Sequence, residues 1–382
     1  MTVSHRHCNP TRRQVLRTFG TAAAAIAAPR WGHAQADHWV IGQTAALSGA
    51  LAWPFVEMNR GIKAAFDEVN EKGGVAGRPL KFVSLDDGGS PEKAAANAKQ
   101  LVEQERAFTL FACGGTTSAL GAMAVVNQAK IPLIAPATGM DALRAFHPLV
   151  IHTRAGYSAE VSKIVQHVGT VSMSRLAVAY FDNPFGKAAV AAFEAAAKKH
   201  NNTEWKAFLV GDSPEAIPGA IEEIAAFRPN SMSSVAIGPN GMPFYKALRQ
   251  KVKAAPFSLS FLGTRPLLEA LGEDGKGITV AQVVPHPESV ALPLIKNYQA
   301  AMRKSGQSGW TYSSLEGYVA ARILIEGLRR AGRPVPPDKF IEGFESMRPF
   351  DLGGFEVSYG PKDHLGTSFV ELTYFTGDRY RR

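Results

Sequence analysis

Two doubly wound parallel sheets in an α/β fold are predicted from three features of the 382-residue sequence. Short apolar runs alternate with segments whose apolar residues recur every three or four positions, the strand–helix rhythm of parallel sheets. That rhythm pauses at Arg154-Ala155-Gly156-Tyr157 and then restarts. The composition, 46% hydrophobic and 20% charged, is globular, and the length exceeds what one core comfortably serves, so two lobes are expected.

In the first half, His38 to Thr44 reads as a strand and Ala45 to Trp53 as the loop after it. Phe55, Met58, Ile62, Phe66 and Val69 mark one face of a helix that Gly73-Gly74 stops. Leu80 to Leu85 is a strand, and Asp86-Asp87-Gly88-Gly89 is its turn, a turn-and-cap pair rather than a metal site. Ser90 caps and Pro91 opens a helix that runs to Glu105. Leu110 to Cys113, Ile131 to Ala135 and Leu149 to Thr153 are further strands, with a helix from Ala119 to Gln128 between the first two.

In the second half, helices are expected from Ala159 to Val168, Lys187 to His200, Ile217 to Phe227 and Phe244 to Val252. Strands are expected at Arg175 to Phe181, Trp205 to Val210, Val235 to Gly238 and Leu259 to Gly263. Ile278 to Pro285 is a strand leading into a helix from Glu288 to Lys304. Tyr312 to Ala331 is the longest clean helix, broken by Arg333-Pro334-Val335-Pro336-Pro337. A helix from Asp338 to Met347 and strands at Phe355 to Tyr359 and Ser368 to Phe375 complete the chain.

The net charge of +9 is unevenly spread. Five arginines and no acidic residue lie in the first 36 positions, and the remainder carries 37 basic and 33 acidic groups, a mildly basic surface rather than a nucleic-acid footprint. Thr11-Arg12-Arg13-Gln14-Val15-Leu16-Arg17 reads as a twin-arginine export signal. The Ala-rich stretch from Phe19 to Ala28 is too short and mild for a membrane span, and Ala34-Gln35-Ala36 fits small-residue cleavage. A mature protein outside the inner membrane is expected. Cys8 falls in the leader, which leaves Cys113 as a single thiol with no base nearby, expected to be a small buried hydrophobe.

Chemistry concentrates between Leu110 and Gly139. Gly114-Gly115-Thr116-Thr117-Ser118 and Pro136-Ala137-Thr138-Gly139 are turns at the carboxyl ends of successive strands, where open parallel sheets bind ligands. The first turn opens a helix, whose N-terminal amides suit an anion. The hydroxyls of Thr116, Thr117 and Ser118 either cap that helix or donate to a ligand, and the sequence leaves both open. No G-x-G-x-x-G, Walker loop, H-E-x-x-H or G-x-S-x-G is present, and the ten histidines lack ligand spacing. No enzyme activity, cofactor or metal is therefore expected.

The segments LSGALA, DEVNEKGGVAGRPLKFVSLDD, GGTTSA, IPLIAPAT, YFDNPFG and SSLEGYVAARILIEGLRRAG resemble, in that order and over nearly all of the mature chain, the Leu/Ile/Val-binding class of periplasmic solute receptors. The resemblance implies a type I periplasmic binding fold: two α/β lobes joined by three crossovers, with the ligand in the cleft. It implies service to a bacterial ABC importer, with permease membrane subunits as partners, and a monomer that closes by hinging on a small ligand. The implied segmentation is a leader over 1–36, a first lobe of 37–156 plus 286–352, and a second lobe of 157–285 plus 353–382.

The resemblance further implies that Gly115, Thr116 and Thr117 grip a ligand carboxylate and that Ala137, Thr138 and Gly139 complete the grip. It places Trp53 over the ligand from the first loop and Phe185 against it from the second lobe, with Tyr157 alongside. Asn240 stands where the class usually has an aromatic, and Arg265 where amino-acid binders place a carboxylate for the ligand ammonium. A guanidinium there would repel an ammonium and suit a carboxylate, amide or carbonyl. An ordinary α-amino acid is then disfavoured unless Asp182, Asp212 or Glu316 substitutes. The alternative output is sensing: the same fold reporting its ligand to a membrane signalling partner.

Overall fold

The backbone forms two parallel-based sheets because each apolar run of the sequence has helices on both sides to cover it. The computed structural model describes residues 1–2, 38–49, 52–200, 204–211, 213–236, 240–332 and 335–382. The expected leader, with its twin arginines, lies outside the described residues.

The first sheet holds β1 (Trp39–Ala45), β2 (Leu80–Asp86), β3 (Thr109–Phe111), β4 (Leu133–Ile134) and β5 (Val150–Ile151) in the order β2-β1-β3-β4-β5, all parallel. Helices α1 (Ala52–Asn70), α2 (Pro91–Glu103) and α3 (Thr116–Ala129) connect its strands. After α4 (Tyr157–Thr170) the second sheet begins. It is built from β6 (Arg175–Tyr180), β7 (Glu204–Leu209), β8 (Ser231–Val235), β9 (Ala255–Leu259) and β10 (Thr279–Gln282), with α5 (Pro184–Lys199), α6 (Ala216–Phe227), α7 (Gly241–Lys251) and α8 (Arg265–Leu271) between them. The chain then returns to the first half as α9 (Pro293–Lys304) and α10 (Tyr312–Ala331), both of which pack on α1, followed by α11 (Pro337–Glu345). Strands β11 (Phe350–Asp351), β12 (Glu356–Gly360) and β13 (Asp363–Gly366) form a small antiparallel sheet. Last, β14 (Glu371–Phe375) and β15 (Tyr380–Arg381) extend the second sheet antiparallel, giving the order β15-β14-β10-β9-β8-β6-β7.

The chain thus passes between the halves three times: between Ile151 and Tyr157, between Gln282 and Pro293, and between Gly366 and Glu371. The third passage falls later than expected. Residues 353–366, assigned above to the second lobe, lie with the first: β12 packs on α11, and His152 N–H donates to His364 O at 2.8 Å. The antiparallel turn after β12 folds back onto β5 before the chain leaves.

The α1–α10 contact holds the returning chain in place. A Cβ on Gly61 would lie 1.7 Å from Ser314 O, and one on Gly317 would lie 2.1 Å from Met58 O. Two glycines let the backbones meet where any side chain would separate them. The expected span of α10 is the observed one. Two strands are displaced: β8 starts at Ser231 and not Val235, and β9 ends at Leu259, with a 3-10 turn over Ser260–Leu262 where strand was expected. Ser231, Ser233 and Ser258 are buried, so these strands carry serines where an apolar pattern was sought.

Candidate functional site

The turn after β3 is built around Gly115, whose φ of +100° is a backbone conformation that side chains rarely adopt. Gly115 N–H donates to Ala137 O at 3.1 Å, and Ala137 N–H donates to Cys113 O at 2.9 Å. The two turns are therefore stitched by backbone, and Ala137 has no N–H left for a ligand. Gly115 is itself the N-cap residue of α3, and no side chain caps the helix. The capping reading of Thr116, Thr117 and Ser118 is thus not what the structure shows. Ser118 Oγ is buried with no partner among the described residues.

Instead the hydroxyls face one another. Thr116 Oγ1 lies 2.9 Å from Thr138 Oγ1, and Tyr157 Oη lies 3.4 Å from each. Tyr157 N–H donates to Gly139 O at 2.6 Å, and a Cβ on Gly139 would strike the Tyr157 ring at 2.5 Å. Gly139 therefore seats the tyrosine and does not line the cavity. Burial raises the Tyr157 phenol pKa, offset in part by Arg154 and the two threonines, so the group stays protonated and able to donate. Phe185 packs its edge on Tyr157 at 5.5 Å.

Around this cluster lies a cavity of about 50 Å³ walled by Ala46, Pro54, Phe55, Gly89, Gly114 to Ser118, Tyr157, Phe185 and Phe261. The aromatic over the turn is Phe55, not Trp53: its ring sits 3.4 Å from where a Gly115 Cβ would be, and it packs on Phe261 at 5.7 Å. Phe55 reads in sequence as one more apolar helix position, so no signal set it apart. Trp53 is half exposed and lies on a second cavity of about 270 Å³, which shares Pro54 and Phe261 with the first. The rest of that wall comes from α7, α8 and the ends of β8 and β9, including Met242, Tyr245 and Leu268. Asn240 precedes α7 and lies on neither wall, although its neighbour Gly241 does.

Arg265 stands apart from both cavities. Because β9 stops at Leu259, Arg265 becomes the first residue of α8, next to Pro266, and points along the helix. Its Nε donates to Glu269 Oε1 at 2.7 Å, and its side chain is 41% exposed. It borders a third, smaller hollow and neither of the two cavities above.

The cation beside the site is Arg154, which sequence reading passed over as part of a connection. It is fully buried. Nη2 donates to Glu160 Oε1 at 2.6 Å and to Ser260 Oγ at 2.7 Å, while Nη1 lies 3.2 Å from Glu316 Oε1. Glu160 Oε2 accepts from Ser260 N–H, and the guanidinium carbon stands 4.1 Å over the Phe261 ring. Glu316, weighed above as a partner for a ligand ammonium, is thus already engaged. Burial raises the Glu160 carboxyl to about 6 despite Arg154, and burial raises Glu316 as well. Asp182 is paired with Lys187, and Asp212 lies outside the described residues. Neither cavity has an acidic residue among the described residues of its wall.

Cys113 is buried, with its thiol pushed up to about 12 by desolvation. Asp86 accepts from Leu47 and Gly88 N–H, and Asp87 from Gly89 N–H and the Thr44 hydroxyl. Among the described residues no group of three His, Cys, Asp or Glu side chains is placed to hold a metal ion, and no helix is long and apolar enough to cross a membrane.

Paired α/β sheets, three crossings and a hollow at the strand ends define the type I periplasmic binding class. The chain belongs to the periplasmic binding protein family, whose model matches residues 39–376. It is 23% identical to the Leu/Ile/Val-binding protein of Escherichia coli K12 over 355 residues, 87% of this chain and 93% of that one. It is 35% identical to an amino acid binding protein of Pseudomonas aeruginosa over 104 residues, 27% of this chain and only 28% of that protein. Among solved structures, a possible leucine/isoleucine/valine-binding protein from Rhodopirellula baltica superposes with a TM-score of 0.82 at 26% identity, covering 90% of this chain and 95% of that one. An ABC-transporter solute-binding protein of R. palustris in complex with benzoate shares the fold, with a TM-score of 0.78 at 18% identity over 90% of this chain and 95% of its own.

Proposed function

We propose that this protein is the periplasmic substrate-binding component of an ABC importer, exported by its twin-arginine leader, and that it captures a small organic carboxylate rather than a standard amino acid. One observation carries the reading: the uncapped N-terminus of α3, with Ser118 Oγ unpartnered and the Thr116–Thr138–Tyr157 hydroxyls beside it, opens into a small hollow between the two sheets. Helix amides and hydroxyl donors together suit a carboxylate. The apolar and aromatic remainder suits an organic body. Exclusion of an α-ammonium follows from the lack of an acidic residue on the described walls and no longer from Arg265. The benzoate-bound fold neighbour supports the same ligand chemistry, and the family supports delivery to permease subunits.

The mechanism is reversible capture. The first lobe fixes the carboxylate and the second closes Phe185 and Phe261 over it. A thermal-shift screen of the purified protein against aromatic acids, aliphatic acids, amides and amino acids tests this, since ligand at a hundred times Kd adds about 2.7 kcal/mol to the folded state. A carboxylate lacking an ammonium is expected to raise Tm, and Thr116→Val to weaken it at least about tenfold. Tight binding of leucine with no response to simple carboxylates is the contrary result.

A further inference from the structure

The second cavity holds about 270 Å³, and its described lining is mostly apolar. A cavity of about 150 Å³ accepts benzene, so this one accommodates an aromatic ring with substituents. The head-group cavity, at about 50 Å³, has room for little more than a carboxylate. Pro54 and Phe261 belong to both walls, so the two cavities adjoin, and a ligand held by its polar end at α3 would direct its body towards the larger space.

Tyr245 and Thr264 are among the polar residues of the larger wall, together with Ser234 and Ser258. Tyr245 Oη and Thr264 Oγ1 are each buried without a hydrogen-bond partner among the described residues. Tyr245 is 8% exposed and Thr264 5%. Thr264 is the N-cap residue of α8, yet its side chain makes no cap bond. Tyr245 sits on α7 and lines the cavity together with Leu268, Leu271 and Ile278. Six hydroxyls among the described residues are buried without a partner, and Tyr245 and Thr264 are the two that share the larger wall, where a ligand oxygen would supply the missing bonds.

We propose that the second cavity is a specificity chamber for the aryl body of the ligand, and that Tyr245 and Thr264 read a hydroxyl or carbonyl oxygen on that body at the end remote from the carboxylate. The ligand class is therefore a phenolic or oxo-substituted aryl carboxylate. The inference rests on the carboxylate reading of the α3 turn. A site built to bond a substrate hydroxyl discriminates strongly against the analogue without it, because its own polar groups are then left unpaired.

The test is calorimetric titration of the full chain with benzoate, phenylacetate and phenylpropanoate and with the para-hydroxy derivative of each. At least one hydroxy acid is expected to bind about tenfold or more tighter than its parent. Tyr245→Phe is expected to bring that pair within about twofold while raising the Tm of the ligand-free protein, because it deletes an unpartnered buried hydroxyl. A purely structural tyrosine would not give those opposite signs. Thr116→Val is expected to weaken both members of the pair alike. If parents and hydroxy acids bind equally and Tyr245→Phe changes nothing, while Thr116→Val still weakens both, the chamber inference is overturned and the carboxylate reading stands. If Thr116→Val binds all six as the wild type does, the carboxylate reading itself fails. A preference that survives both Tyr245→Phe and Thr264→Val overturns the assignment of these two residues, and six acids without binding overturn the ligand class.

Discussion

The two cavities that meet at Phe261 are made in opposite ways. The smaller is built on backbone, two turns tied together by Gly115 and Ala137 and a helix start, and is closed by hydroxyls that hold one another and by the rings of Phe55, Tyr157, Phe185 and Phe261. The larger is framed by side chains from α7, α8 and two strand ends, mostly apolar. Backbone turns set where a small group could sit, whereas side-chain framing would decide what else a ligand could carry.

The joint between the two regions is where the largest effect is expected. Arg154→Met leaves Glu160 and Glu316 buried without a counter-charge and should cost about 3–5 kcal/mol in urea unfolding. A loss below about 1 kcal/mol would mean the two halves do not depend on this ion pair. Next comes pH. Glu160 titrates near 6 in the folded protein against an ordinary value of 4.5. The folded state therefore binds the extra proton. The contribution is full below pH 4.5 and is lost as pH rises through 6, a change of about 2 kcal/mol. Comparing wild type with Glu160→Gln from pH 4 to 7 isolates it, and parallel curves would place the titration elsewhere.

Smaller effects sharpen the contrast. Ser234→Leu adds bulk to the larger wall and should weaken aryl acids about tenfold with no loss of Tm. Equal affinity would show that the ligand never enters that space. Arg265→Ala should change stability by less than about 0.5 kcal/mol and leave affinity alone, as expected of a half-exposed helical pair. A marked loss of binding would return Arg265 to the site.

The same contrast governs what could be read in the sequence. The β3–α3 turn was legible because Gly-Gly followed by three hydroxyl residues is a local pattern with a local meaning. The helix α10 was legible because its apolar period is long and its ends are marked. Strands β8 and β9 were misplaced because serines face a buried environment, and a displacement of four residues turned Arg265 from a cleft residue into a helix start. Arg154 and Phe55 escape a reading of the sequence because their contacts come from residues distant in the chain: Glu316 for Arg154 and the Gly115 turn for Phe55.

Phe261 carries one consequence beyond these. One side of its ring bears a guanidinium that is bonded to Glu160 of one lobe and paired with Glu316 of the other, and the ring is also part of both cavity walls. An occupant that presses on the ring cannot displace it without disturbing the cation behind it. Filling the hollow would therefore be felt at the crossing segment that carries Arg154.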